Sequence, residues 1–149
     1  MAQAKVLFAS ITGNNEDIAD IVAEALENNG IATEVDDISM VEVSEILDYD
    51  ICVICPYTYD EGSLPDEGLD FYEELADTDL NGLVFGVAGS GDTFYGDDYC
   101  KAVIDFDQQL AQANGTRGVA PVMINLAPDE DADIQKLDAF AAELAAKVQ

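Results

Sequence analysis

The sequence predicts an α/β fold: a doubly wound, five-stranded parallel sheet with helices on both faces, built as one domain over residues 1–149. Three observations predict it. Five short apolar runs alternate with segments whose apolar residues recur at helical spacing. The runs read as strands buried on both faces, which happens when helices cover a parallel sheet from both sides. Finally, 149 residues suit one domain, and a hydrophobic fraction of 49% leaves enough apolar material for a core despite 25% charged residues.

The elements follow in order. Val6 to Ala9 is a first short apolar strand, and Ser10-Ile11-Thr12-Gly13-Asn14 is the polar turn after it. Ile18, Ile21, Val22 and Ala25 mark a helix, which Asn28-Asn29-Gly30 stops. Ile31 to Val35 is a second strand, firmest at Ile31 and Val35. Residues 39–49 are long enough for a turn or two of helix. Asp50 to Cys55 is a third strand, followed by a long loop from Tyr57 to Gly68. Leu69, Tyr72 and Leu75 to Ala76 predict a helix, Leu83 to Ala88 a fourth strand, and Gly89 to Asp98 another loop. Ala102, Val103, Phe106 and Leu110 lie on a helix stopped at Asn114-Gly115. Val119 to Leu126 is the fifth strand, and Ile134, Leu137, Phe140, Ala141, Leu144 and Val148 mark the last helix. Right-handed crossovers put these helices on both sides of the sheet.

Charge and composition exclude whole classes of function. Thirty-two acidic residues against five basic ones give a formal charge of -27. Such a surface repels phosphate backbones and anionic lipid, which speaks against nucleic-acid and membrane-surface binding. It calls for a strongly basic partner or a high-salt habitat. With no histidine, there is no Ser-His-Asp or Cys-His nucleophile pair and no His-ligated zinc. Three cysteines do not make a disulfide framework. No apolar stretch approaches the roughly 18 residues that span a bilayer. Met1-Ala2-Gln3-Ala4-Lys5 carries no signal-peptide pattern, so the expected location is the cytoplasm.

Ligands of doubly wound sheets bind beyond the carboxyl ends of the strands, near a switch in strand order. The loops after strands one, three and four are therefore the places to search. In the first, Ser10, Thr12, Asn14 and Asn15 offer short hydrogen-bonding side chains, and Gly13 allows close backbone approach. With the N–H groups of the following helix they form a phosphate cradle that needs no cation. The same residues also suit plain helix capping, and both readings stand at this point. Glu16 and Asp17 fit a helix start but would repel a nearby dianion. One glycine and no lysine exclude both the P-loop and the dinucleotide fingerprint. Tyr57-Thr58-Tyr59-Asp60-Glu61-Gly62 and Asp92-Thr93-Phe94-Tyr95-Gly96-Asp97 set aromatics among acids and glycines. Two such loops could sandwich a flat heteroaromatic ring, at roughly 0.5–1.5 kcal/mol per stacked face. Packing on loop backbone or against a partner is the alternative.

These residues carry a resemblance. Ser-x-Thr-Gly-Asn after strand one, Thr58-Tyr59 with Gly62-Ser63-Leu64-Pro65-Asp66 after strand three, and Gly91-Asp92 with Tyr95 and Tyr99-Cys100 after strand four together resemble the flavodoxins, most closely the short-chain kind. The resemblance runs from Lys5 to the C-terminus. It implies strand order 2-1-3-4-5 with FMN at the switch point; both come with the family, a standing illustration of that rule. It implies that Ser10, Thr12 and Asn14, with main-chain amides from Ile11 through Gly13 to Asn15, hold the FMN phosphate. Thr58 would lie beside the phosphate and ribityl chain, Tyr59 on the inner ring face and Tyr95 on the outer. Ser90 and Gly91 would belong to the third cofactor loop, and backbone groups of Asp92, Tyr99 and Cys100 would meet the pyrimidine edge. Two positions depart from the family pattern. Asn15 stands where Thr is usual, with an amide that can still donate. Asp60 stands where Gly is frequent, at the peptide that turns over in the family when the flavin takes its first electron. A side chain there makes positive φ costly by about 1 kcal/mol or more.

The implied function is a low-potential one-electron carrier that binds FMN non-covalently. Asp60, Glu61, Asp92, Asp97 and Asp98 surround the expected ring site, and these loops hold no Lys or Arg. Five carboxylates at about 10 Å in water-like dielectric give roughly 2 kcal/mol of repulsion against an anionic reduced ring before salt screening. That lowers the second one-electron potential by ~85 mV. The implied partners are basic redox proteins such as c-type cytochromes, with reductases or hydrogenase-type donors, steered by the acidic rim. A flavodoxin-like NAD(P)H-dependent quinone or azo reductase is the alternative, but it usually needs a cation for a nicotinamide phosphate. Three other signals lead nowhere. Cys52-x-x-Cys55 sits in an apolar strand, where residues three apart face opposite ways, so both read as buried structural thiols. Asp129 to Asp133 lacks the glycine and the bidentate glutamate of a calcium loop. A response-regulator receiver needs an aspartate after strand three and a lysine after strand five, where Pro56-Tyr57 and Asn125 to Ala127 stand.

Overall fold

A computed structural model describes residues 2–9, 14–56, 66–91, 101–125 and 131–148. Its strands are β1 (Gln3–Phe8), β2 (Ala32–Asp37), β3 (Ile51–Cys55), β4 (Val84–Gly91), β5 (Thr116–Arg117) and β6 (Val122–Asn125). Its helices are α1 (Asn14–Asn28), α2 (Val43–Ile46), α3 (Asp66–Leu75), α4 (Lys101–Gln112) and α5 (Asp131–Val148), with a 3-10 turn at Ile38–Met40. The sheet order is β2-β1-β3-β4-β5, with β6 also beside β4, and every pairing is parallel.

The period of two along each strand builds two cores. Ala4 and Val6 of β1, Ile51, Val53 and Cys55 of β3, and Ala88 of β4 pack with Ile18, Val22 and Leu26 of α1 and Leu137, Phe140 and Leu144 of α5. On the other face, Leu7, Cys52, Ile54, Phe85 and Val87 meet Phe71 and Leu75 of α3 and Val103, Phe106 and Leu110 of α4. Helices thus cover both faces, as the two-sided apolar strands require. Cys52 and Cys55 fall into opposite cores, both fully buried and free. Burial pushes the Cys52 thiol up to about 12, against the pull of Lys5, and raises Cys55 as well.

Helix ends follow the sequence signals. After α1, Gly30 (φ 85°) lets its own N–H reach Glu27 O and that of Ile31 reach Leu26 O, both at 3.0 Å. Ile31 and Leu26 join the same core, as this left-handed cap favours. Asn114 (φ 69°) ends α4 in the same way, with Gly115 N–H on Leu110 O at 3.0 Å. The turn or two of helix expected within 39–49 is present as the 3-10 turn and α2.

Boundaries differ from the sequence expectation in several places, with β1 beginning at Gln3 and ending at Phe8, and α3 beginning at Asp66 inside the stretch read as loop to Gly68. Strand β2 begins after Ile31, which serves the cap, and continues through Asp36 and Asp37 opposite Leu7 and Phe8. Aspartates are poor strand formers, but β2 is an edge strand with solvent beside them. Strand β4 runs on to Gly91, so Ser90 and Gly91 belong to the sheet and not to the loop. The strand expected over Val119 to Leu126 is realised as β6 at Val122–Asn125, and a short strand the sequence did not predict, β5 at Thr116–Arg117, precedes it. Phe85 to Ala88 spans three steps on β4, while their partners Arg117 and Val122 are five apart. Gly118 still donates to Phe85 O at 2.9 Å, after which Pro121, lacking an N–H, interrupts the ladder.

Lys5 is the buried cation of β1, at 7% exposure. Its ammonium contacts Asp36 and, at 3.3 Å, Glu34 across the β1–β2 ladder, while the Tyr49 hydroxyl donates to Glu34 at 2.7 Å. Desolvation pulls the Lys5 ammonium down, but the bonds to Asp36 and Glu34 outweigh it and leave it above its ordinary 10.5. The bonds from Tyr49 and Lys5 hold Glu34 below its ordinary 4.5. Each shift favours the folded state while both groups are charged. Lys5→Met is therefore expected to cost about 1 kcal/mol at neutral pH, since Asp36 is about half exposed and Glu34 about two-thirds. The cost should fade as pH drops through the lowered Glu34 value, and again as pH rises through the raised Lys5 value. Urea titrations of the two proteins from pH 4 to 11 check this, and a pH-independent difference would refute it.

Candidate functional site

The chain passes from β1 through α1 to β2 on one side of β1, then returns to place β3 on the other side. The strand order therefore reverses between β1 and β3, and their carboxyl ends flank the switch-point crevice. Those ends are level: Phe8 pairs with Cys55, and Ala9 N–H donates to Cys55 O at 3.1 Å. Strand β4 lies next to β3 and extends farther, through Gly91. The three loops chosen from sequence thus leave the carboxyl ends of the adjacent strands β1, β3 and β4.

Of the predicted site residues, Ser10, Ile11, Thr12, Gly13, Thr58, Tyr59, Asp60, Asp92, Tyr95, Tyr99 and Cys100 lie outside the described residues. Asn14 opens α1, with acidic Glu16 and Asp17 in the first turn, where the partial positive end of the helix favours them. Gly91 closes β4.

Asn15 and Ser90 come together. The Asn15 Nδ2 donates to Ser90 Oγ at 2.8 Å, and the Ser90 N–H donates to Asn15 Oδ1 at 3.0 Å. Both residues are fully buried. Ser90 points the same way as Ala88, toward α1, because two residues along a strand return to the same face. The side chain of Asn15 therefore reaches β4, while its main-chain N–H lies in the first turn of α1. This pair was not legible in the sequence, where 75 residues separate its members. The signals available were a lone polar residue continuing the apolar run of β4, and an Asn where the family has Thr.

Close packing extends to the neighbouring loop start. At Gly89 a Cβ would stand 2.2 Å from the carbonyl oxygen of Pro56, which is buried directly after β3. The ends of β3 and β4 are thus in backbone contact where the second and third loops begin.

The donor chemistry fits an uncharged cradle for an anionic cofactor. Lys5 is spent on Glu34 and Asp36. Arg117 makes a forked contact with Asp107, its Nε at 2.9 Å from Oδ1 and its Nη2 at 2.6 Å from Oδ2. The bond to Asp107 raises the guanidinium value further. Lys101 opens α4 directly after Cys100, exposed, and burial raises the Asp105 carboxyl one turn later against the pull of Lys101. The loop leading into α1 itself offers N–H and hydroxyl donors and no cation. Among the described residues no acidic or cysteine cluster could hold a metal ion, and no helix is long and apolar enough to cross a membrane.

Comparison with known proteins agrees with this geometry. The flavodoxin family model matches residues 6–140. "Probable flavodoxin 1" of Bacillus subtilis (strain 168) is 37% identical over 141 residues, covering 95% of this chain and 89% of that protein. A solved short-chain flavodoxin associated with a PDU bacterial microcompartment superposes with a TM-score of 0.97 at 45% identity, covering 100% of both chains. The flavodoxin of Streptococcus pneumonia TIGR4 superposes at 0.94 with 51% identity, covering 98% of this chain and 99% of that one. Flavodoxins act as redox partners of reductases and oxidoreductases. The chain belongs to the flavodoxin family, as an electron carrier of the short-chain kind that binds FMN.

Proposed function

We propose that this flavodoxin is a low-potential one-electron carrier without substrate turnover of its own, working in the cytoplasm. FMN supplies the one-electron chemistry when bound, and the chain holds and tunes it. Ser10, Thr12 and Asn14, with main-chain N–H groups from Ile11 through Gly13 to Asn15, take the phosphate. Thr58 lies along the ribityl chain, and Tyr59 and Tyr95 cover the two ring faces. Asp92, Tyr99 and Cys100 present backbone groups to the pyrimidine edge, carried there by Ser90 and Gly91 at the end of β4.

The observation that carries the low potential is charge. The chain has 32 acidic against 5 basic residues, five of the acids fall in the second and third loops, and Lys5 and Arg117 are neutralised elsewhere. An anaerobic redox titration of the holoprotein tests the reading. The second one-electron potential should lie below that of free FMN, and a value no lower would defeat it. NADH oxidation with a quinone acceptor should stay at background.

The same charge selects partners. Basic redox proteins such as c-type cytochromes, and reductases or hydrogenase-type donors with basic docking faces, should be reduced or oxidised at rates that fall as ionic strength rises. Asp60 sets the first electron. Replacing it by glycine removes the penalty on positive φ, about 1 kcal/mol, so Asp60→Gly should raise the first one-electron potential by about 40 mV. An unchanged or lower potential in the same titration would show that Asp60 carries no such penalty.

A further inference from the structure

We propose that Asn15 and Ser90 are a positioning pair that sets the separation between the phosphate end and the ring end of the FMN site. The inference rests on the cofactor reading above. Asn15 is the second residue of α1, where the phosphate loop ends, and Ser90 is the penultimate residue of β4, directly before the third loop. Their contact is reciprocal: each residue donates once and accepts once, at 2.8 and 3.0 Å. Two bonds in opposite senses fix orientation as well as distance, which one bond would not do. Both residues are at 0% exposure, so water does not compete and the bonds keep their full strength. Breaking one side leaves a buried polar group unsatisfied, so the pair resists partial opening. A cofactor anchored at its phosphate by α1 and at its ring by the loop after β4 therefore meets two anchors at a preset spacing. The spacing is held by the protein and need not be imposed by the ligand.

A purely structural pair and a positioning pair differ in one measurable ratio. Riboflavin has the ring but no phosphate, so the preference for FMN over riboflavin reports how well both anchors are reached together. Ser90→Ala removes a single oxygen and leaves the backbone bond to Asn15 in place. It is expected to lower the FMN-to-riboflavin affinity ratio about tenfold, measured by flavin fluorescence quenching on apoprotein. Asn15→Thr should lower the ratio similarly, and the double variant should lose no more than the worse single one, as for partners in one contact. Three results would overturn the proposal. The Ser90→Ala apoprotein melts cooperatively and keeps the wild-type ratio; Asn15→Thr raises the ratio, which makes position 15 a direct phosphate donor; or both variants fail to fold, which assigns the pair to the fold alone. Equal affinity of the wild type for FMN and riboflavin is a distinct outcome. It would remove the phosphate assignment itself, and this inference with it.

Discussion

Gly89→Ala is expected to destabilise the apoprotein by about 3 kcal/mol, the upper end of what overpacking costs, because the obstacle is main chain. The new methyl would stand 2.2 Å from Pro56 O and 2.8 Å from Val103 Cγ2. A side chain could turn aside; a carbonyl oxygen at the end of a strand cannot. The ladder from Ile51↔Val84 to Ile54↔Val87 holds β3 against β4, and Met123 of β6 pairs with Gly89 from the other side. Relief requires the strand ends to part, in a protein whose whole stability is of order 5–15 kcal/mol. Gly82→Ala is the control. Gly82 has φ +85° and its nearest neighbour would be Thr116 Oγ1 at 3.9 Å, so that change costs only the left-handed penalty, about 1 kcal/mol. Urea unfolding of the apoproteins separates the two. FMN affinity should also fall more in Gly89→Ala, since Pro56 leads into the second loop. Equal destabilisation by the two changes would mean that the strand ends are not in the contact described.

Replacing Asp60, Glu61, Asp92, Asp97 and Asp98 together by their amides should raise the second one-electron potential by about 85 mV at low salt, the electrical equivalent of roughly 2 kcal/mol of repulsion. The change removes charge and little volume, so FMN should still bind. Two controls make the result specific. The shift should shrink as salt rises, because the Debye length falls to about 10 Å at 0.1 M. Amide replacement of five acids toward the carboxyl ends of the helices, Glu24 and Glu27 of α1, Glu73 and Glu74 of α3 and Glu143 of α5, should move the potential much less. If the helix variant matches the loop variant, the low potential belongs to net charge and not to the acids beside the ring. Lys101, which opens α4 immediately after the third loop, works in the opposite direction.

How much of this was legible in the residues depended on range. Five apolar runs and the helical spacing between them predicted every strand but the two-residue β5 and most helices, because burial on one or both faces writes itself into local periodicity. Gly30 and Asn114 stopped their helices where the letters indicated, since a left-handed cap is a local demand. Asp36 and Asp37 hid the end of β2, because what keeps them in the strand is solvent at an edge and Lys5 of a different strand. Pro121 should have moved the start of the last strand from Val119 to Val122, and the two-residue β5 at Thr116–Arg117, exposed and not apolar, left no periodic signal at all. The loops expected to hold the cofactor were chosen from their polar and aromatic residue types, and the strands they follow are adjacent in the sheet. The pairings of Asn15 with Ser90 and Arg117 with Asp107 were not legible, because tertiary pairing decides what those side chains do.

The outermost strand carries a consequence for life in a crowded solution. Among the described residues strand β2 pairs on one side alone, and its Glu34 and Asp36 side chains are about two-thirds and one-half exposed. A second copy trying to extend the ladder would bring its own anions against these, with Lys5 already committed inward. Growth toward fibrils is thus discouraged at the place where an open sheet is most vulnerable to it.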